Sequence, residues 1–293
     1  MDSQTPSGGE PSSPKREIKH VETVEAYNQW APVRTYLEPI WKKYKEYANG
    51  LILQFYDKDG NFLQGLDSME MIDLFPQFLS LVNPVLTSEE MKVIQPPKKY
   101  VDLGCGTGRN TVSFAVRVAS RTKIVGLDPS SKMLDLARQR IINAQPQLAG
   151  SNIQVTLESY DILKSPAIPA CAKDADGLMS TLVLEHVPLK EFFKSVLAIL
   201  KPGGTLVLTN MHSEMGNISQ AGFTDENGVK IRPTSYAHTA AEVVEEASAV
   251  GLELVGRMKE VMMNENLARI LGPRASKWIG IRVWYGGCFR RIR

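Results

Sequence analysis

Residues 101–108, Val-Asp-Leu-Gly-Cys-Gly-Thr-Gly, leave this chain few folds to choose from. A short apolar strand ends in three glycines at alternate positions, and a stretch with helical spacing follows. Glycines there let the backbone turn sharply and approach a ligand closely. The next helix offers its unsatisfied N–H groups to that ligand. A dinucleotide fingerprint carries its third glycine one residue later. Arg109 fills that slot here, so the loop suits something other than a pyrophosphate.

From Lys98 onward, strand and helix patterns alternate. Strands are expected at Tyr100–Leu103, Lys123–Leu127, Ile153–Leu157, Gly177–Leu182, Thr205–Thr209, Leu252–Gly256 and Ile281–Phe289. The spacing predicts a helix over Thr111–Arg121, with Val112, Ala115, Val116 and Ala119 on its buried side. Ser130 can cap another helix that runs to about Ala144. A third passes through Phe192, Phe193, Val196, Ile199 and Leu200. Thr239 and Glu242 form a capping box that starts a fourth, and Gly251 stops it. Such alternation means an α/β fold, a doubly wound parallel sheet with helices on both faces. Ligands of these sheets bind beyond the carboxyl ends of the strands.

Upstream, Met1–His20 is rich in Ser, Pro and Gly and is expected to be a disordered tail. Val21–Trp30 can open a helix. Asp67–Val82 has helical spacing, with Met71, Leu74, Phe75, Phe78, Leu79 and Val82 on one side. Pro96-Pro97 marks a boundary. The expected division is therefore a tail at 1–20, a helical cap at 21–96 and a ligand-binding α/β domain at 97–293.

Three further segments fall where one ligand needs them. Gly126-Leu127-Asp128-Pro129 ends the second strand with a carboxylate that can accept hydrogen bonds from both hydroxyls of a ribose. Asp161 and Ile162 follow the third strand, where an acid can accept from an adenine amine and an apolar side chain can cover the ring. Lys201-Pro202-Gly203-Gly204 is a helix-to-strand turn. With Ser180–Val187 (Ser-Thr-Leu-Val-Leu-Glu-His-Val), these motifs occur in the order that resembles the class I S-adenosylmethionine-dependent methyltransferases. Within that class the chain looks like the ubiquinone-biosynthesis type, and most like fungal members that act on small molecules. The resemblance covers Pro97–Phe289. It implies a Rossmann-like, seven-stranded sheet with an antiparallel last strand, S-adenosylmethionine as cofactor and S-adenosylhomocysteine as product. It also implies a cofactor site built from Tyr27, Asp102, Gly104, Cys105, Gly106, Thr107, Asn110, Asp128, Pro129, Met133, Asp161, Ile162, Thr181 and Leu182.

Tyr27-Asn28-Gln29-Trp30-Ala31 and Tyr56-Asp57 resemble the segment that folds over the methionine end of the cofactor in that family, but Val33–Gln54 pushes the two halves apart. Two readings compete for the interruption. It is an amphipathic helix with Leu37, Ile40, Trp41 and Tyr44 inward, serving as a lid. Or it is a translated intron. Val33-Arg34 can be encoded GTACGT, Tyr47–Asn49 can contain GCTAAC, and Leu53-Gln54 can read TTACAG.

The acceptor side is less legible. Methyl transfer from a sulfonium is an in-line displacement that depends on positioning, and a base is needed only where the acceptor must lose a proton. The candidates are His186, His212 and His238. The long connection from Met211 to His238 is a further candidate lid. A net charge of +2 and the lack of a basic stripe argue against a nucleic-acid partner. Three scattered cysteines suit a reducing compartment. No apolar run approaches a membrane span, and no ligand spacing implies a metal. The expectation is a cytoplasmic enzyme that methylates O or N of a small molecule, in secondary metabolism. Protein or RNA methylation, and cofactor binding without transfer, are the alternatives.

Overall fold

The computed structural model describes residues 18–35, 62–83, 96–219, 223–224 and 229–292. Tyr56-Asp57 and nearly all of the 33–54 interruption lie outside the described residues; residues 33–35 form the last turn of a helix. The chain enters on a short strand, β1 (Ile18–His20), followed by α1 (Thr23–Thr35) and α2 (Phe62–Val82). Residues 18–20, expected to belong to a disordered tail, are instead a strand, and residues 1–17 lie outside the described residues. These three residues pair in parallel with β8 (Lys230–Arg232), and the Val21 amide extends the pairing to the Arg232 carbonyl. A two-residue strand, β7 (Phe223–Thr224), completes this small sheet.

The main sheet has seven strands: β2 (Lys99–Leu103), β3 (Lys123–Asp128), β4 (Gln154–Ser159), β5 (Ala175–Thr181), β6 (Leu200–Met211), β9 (Leu252–Met262) and β10 (Arg282–Arg291). Their order is β4-β3-β2-β5-β6-β10-β9, and β10 runs antiparallel to both of its neighbours. Strand order reverses beside β2, between β3 and β5, which places the ligand end over the glycine loop.

Helix α3 (Arg109–Ala115) is shorter than its spacing suggests. The Arg117 guanidinium turns back onto the Ser113 carbonyl, and the chain leaves the helix there. The buried side also differs. Phe114 is the anchor, while Ala119 is exposed. Phe114 packs edge-on against Tyr100 with centroids 4.9 Å apart, and lies 5.3 Å from Phe75 and 5.7 Å from Phe78. Helix α4 (Ser131–Leu148) starts where its cap is expected, with the Ser130 hydroxyl accepting from the Met133 amide. Helices α5 (Leu189–Ile199) and α7 (Ala240–Ala249) contribute Phe192, Phe193, Val196, Val243 and Ala247 to one core cluster. The second cluster holds the apolar side of α2. The capping box of Thr239 and Glu242 is present. The Lys-Pro-Gly-Gly segment interrupts the register within β6. Two helices had no sequence signal strong enough to predict: α6 (Ser213–Ile218) and α8 (Glu265–Leu271), the latter running into a tight turn at Pro273–Trp278.

One polar contact docks α2 on this frame. Asp67 is fully buried in an otherwise apolar helix face. Its Oδ1 accepts from the Thr209 hydroxyl and from Trp284 Nε1 at 3.0 Å. Its Oδ2 accepts from Asn110 Nδ2 at 3.0 Å and Arg109 at 3.1 Å. Those donors belong to β6, β10 and α3. A buried carboxylate is tolerated when its lone pairs are filled this way, and removing it strands every donor. Asp67→Ala should therefore cost roughly 3–5 kcal/mol. Urea denaturation checks this, and a loss below about 1 kcal/mol contradicts the docking role.

Candidate functional site

A cleft of about 940 Å³ opens over the carboxyl ends of β2, β3 and β5. Its floor is the glycine loop. The amides of Gly104 and Cys105 both donate to the Leu127 carbonyl, at 2.8 and 2.9 Å, which ties the loop to the end of β3. Gly104 has φ +79°, and a Cβ there would meet Val183 Cγ2 at 2.2 Å, so no other residue fits. Gly106 has φ +53° with open space where a Cβ would point, leaving the backbone bare toward the cleft.

Asp128 ends β3 with both oxygens oriented by the main chain. Its Oδ2 accepts from the Gly106 amide at 2.8 Å and its Oδ1 from the Ser130 amide at 2.9 Å. Burial pushes its carboxyl up to about 6, against the lowering effect of those two bonds. Beneath the loop, Asp102 is 1% exposed and accepts from the Thr111 hydroxyl at 2.5 Å. Its Oδ1 has no hydrogen-bond partner. Burial pushes Asp102 up to about 7, and the Asp128 charge adds to the rise. Asp161 holds the Leu163 amide at 2.8 Å and stands in the wall beside Ile162.

Every residue expected to bind cofactor lines the cleft except Asp102, which lies under it. Tyr27, Pro129, Met133, Thr107, Thr181 and Leu182 are all in the wall. Leu182 adopts φ +55°, a strained value for a residue with a side chain, held by the hydrogen bond its N–H donates to the Thr209 carbonyl at 3.0 Å. Asn110 reaches Thr181 Oγ1 at 2.9 Å and shares the Asp67 network. Cys105 offers backbone rather than thiol chemistry, because burial pushes its thiol well up.

The three histidines separate. His186 lines the cleft. Its Nε2 lies 2.8 Å from the Tyr27 hydroxyl and 3.3 Å from Glu185 Oε1, and its Nδ1 lies 3.1 Å from the Thr234 carbonyl. Burial alone would lower its pKa, but the Glu185 carboxylate and the Thr234 carbonyl outweigh burial and raise it. His212 instead caps α6: its Nδ1 accepts from the Glu214 amide at 3.1 Å, and its Nε2 faces Glu260 at 3.7 Å. His238 stacks on Tyr236, and its Nε2 meets the Val187 carbonyl at 3.0 Å. Neither is among the residues that line the cleft. Glu185 and the α8 side of the wall, with Arg274, Lys277 and Trp278, were not singled out by sequence.

Carboxylates stand at the glycine-loop end of the cleft, with Asp128 in the wall and Asp102 beneath the loop, while Lys164, Arg274 and Lys277 also line it. Arg109, the cation nearest the loop in sequence, is already paired to Asp67 and bonded to Ser68 at 2.6 Å. The glycine-loop end, with Arg109 paired and Asp102 and Asp128 close by, suits a ligand that brings positive charge and ribose hydroxyls there. Among the described residues no cluster could hold a metal ion, and no helix is long and apolar enough to cross a membrane.

A methyltransferase-domain family model matches residues 101–204. The chain is 41% identical over 281 residues to an uncharacterized methyltransferase of Emericella nidulans, covering 92% of this chain and 91% of that one. Among solved structures, it resembles a SAM-dependent methyltransferase from Methanosarcina mazei with a TM-score of 0.50 at 16% identity, over 71% of this chain and 98% of that one. It also resembles the [4+2]-cyclase SpnF, again with a TM-score of 0.50 at 16% identity, over 94% and 99% of the two chains. Both likenesses concern the fold.

The carboxyl groups set a pH dependence. Asp102 and Asp128 ionise at about 7 and about 6 in the folded chain, above the ordinary 3.8. Their burial therefore favours the protonated fold, and that contribution to stability is full below the ordinary value and lost as pH rises through 6 and then 7. A cationic ligand acts oppositely, since it binds the ionised form. Affinity for S-adenosylmethionine should rise by up to about tenfold per unit from roughly pH 5.5 to 7, and Asp128→Asn should flatten the rise. Calorimetric titration at several pH values checks this; a flat wild-type profile contradicts the assignment.

Proposed function

Because the chain belongs to the class I S-adenosylmethionine-dependent methyltransferases, we propose that it moves the methyl group to oxygen or nitrogen of a small-molecule acceptor, in secondary metabolism. The observation that carries this reading is the Tyr27–His186 pair in the cleft wall. The Thr234 carbonyl can only accept, so His186 Nδ1 carries a proton and donates it there. In the neutral ring the Nε2 lone pair accepts the Tyr27 O–H, and the Glu185 carboxylate 3.3 Å away favours taking a proton onto that same nitrogen. An acceptor beside Tyr27 can give its proton to the phenol oxygen as the phenol proton moves to Nε2. The Glu185 carboxylate, 3.3 Å away, stabilises the imidazolium that results.

The cofactor supplies an electrophilic methyl on a sulfonium when bound. Asp128 fits the ribose hydroxyls, Asp161 and Ile162 the adenine, and the bare backbone at Gly104–Gly106 over Asp102 the methionine end. Asp102, buried under that loop with its Oδ1 unpaired, adds a negative field beneath the loop that suits a cationic group above it. Helix α1 roofs the cleft with Tyr27 and Trp30 and is held there by Ser130 Oγ, which donates to Asn28 Oδ1 at 2.7 Å.

Purified protein supplied with radiolabelled S-adenosylmethionine and a panel of phenols and amines should yield S-adenosylhomocysteine and a labelled product. His186→Asn should lower kcat about 10²- to 10⁴-fold, with cofactor affinity changed less than about threefold. Tyr27→Phe should lower kcat in the same direction. Cofactor binding with no S-adenosylhomocysteine formed from any acceptor would place the chain with proteins that bind this cofactor without transferring methyl.

A further inference from the structure

Glu185 has no task in the cofactor site. It is 5% exposed and forms part of the cleft wall. Its main chain is fixed from two sides: its amide donates to Asn210 Oδ1 at 3.2 Å, and its carbonyl accepts from the Tyr236 amide at 2.8 Å. Oε1 faces His186 Nε2 at 3.3 Å. Oε2 is buried and has no hydrogen-bond partner. The ribose, the adenine and the methionine end already have Asp128, Asp161 and Asp102.

A carboxylate oxygen withdrawn from water without a donor is strongly unfavourable, and such a group persists where a ligand supplies the missing donor. The terminal torsion of a glutamate is broad. A turn about that torsion moves both oxygens together and can bring Oε2 to a donor in the cleft that Glu185 lines. Resting on the methyl-transfer reading above, we propose that Glu185 Oε2 is the acceptor-recognition group. It accepts a hydrogen bond from a hydroxyl or amine of the acceptor, beside the atom that is methylated, and turns away acceptors that present a carboxylate there. Rejection is sharp because a second carboxylate would be repelled and would leave Oε2 unpaired. Lys277 and Arg274 stand on the α8 side of the same cleft, so carboxylate binding is the competing outcome to be measured.

The test uses the full chain loaded with S-adenosylhomocysteine and titrated by calorimetry with benzyl alcohol, benzylamine and benzoate. The three share a ring and differ in head group, and the first two separate hydroxyl from amine recognition. The wild type should bind benzyl alcohol or benzylamine at least about tenfold more tightly than benzoate. Glu185→Gln, which keeps the shape and adds a donor, should shrink that ratio below about threefold, and its affinity for S-adenosylhomocysteine should match the wild type, which shows that it is folded. Glu185→Asp should keep the discrimination against benzoate. Equal or tighter benzoate binding by the wild type, an unchanged ratio in Glu185→Gln, or no binding of any of the three overturns the proposal. Since the readout is binding, it stands apart from turnover. Discrimination without methyl transfer would remove the transfer reading and keep this role of Glu185, and transfer without discrimination would do the reverse.

Discussion

Asp67 holds together parts of the chain that are distant in sequence. It sits on α2, and its four donors come from α3, β6 and β10. One of these, Asn110, also bonds Thr181 at the end of β5 and lines the cleft. The glycine loop, the strained Leu182 turn and the cap helix are thereby fixed against one another. The same carboxylate neutralises Arg109, which leaves the loop without a free cation where a dinucleotide would need one.

Burial raises the pKa values of Asp102 and Asp128, the Arg109 charge offsets this only in part at Asp102, and Asp102 keeps an oxygen unpaired. Burial of like charges is costly to the empty protein and is relieved by a ligand bearing an ammonium and a sulfonium. Substrate chemistry is set at the opposite side of the site. There the Glu185-His186 pair joins the end of β5 to α1 through Tyr27, and to the connection after β6 through Thr234 and Tyr236. The roof and the proposed proton acceptor are thus one structure.

The residues expected to bind cofactor gather at one cleft, and this gathering was legible because it is local. Gly104, Gly106 and Asp128 follow strand ends, and the strand pattern alone places them at one edge of the sheet. Asp102, Asp161 and Leu182 follow the same logic. The acceptor half was not. His212 and His238 also lie near strand ends, but their rings are taken up by a helix cap and a loop carbonyl, and no spacing rule separates such uses from catalysis. Asp67 did carry a signal, a charge on the apolar face of a predicted helix, though its partners are set only by tertiary packing. Helix α3 ended early for a similar reason, because the Arg117 contact with Ser113 is invisible to periodicity.

The most direct test of this account is a crystal structure of the chain with S-adenosylhomocysteine. The account predicts the ribose hydroxyls on the Asp128 carboxylate, the adenine beside Asp161 and Ile162, and the sulfur facing the side of the cleft that holds Tyr27, Glu185 and His186. A ligand bound elsewhere, or turned so that its sulfur faces away from those three residues, would contradict it.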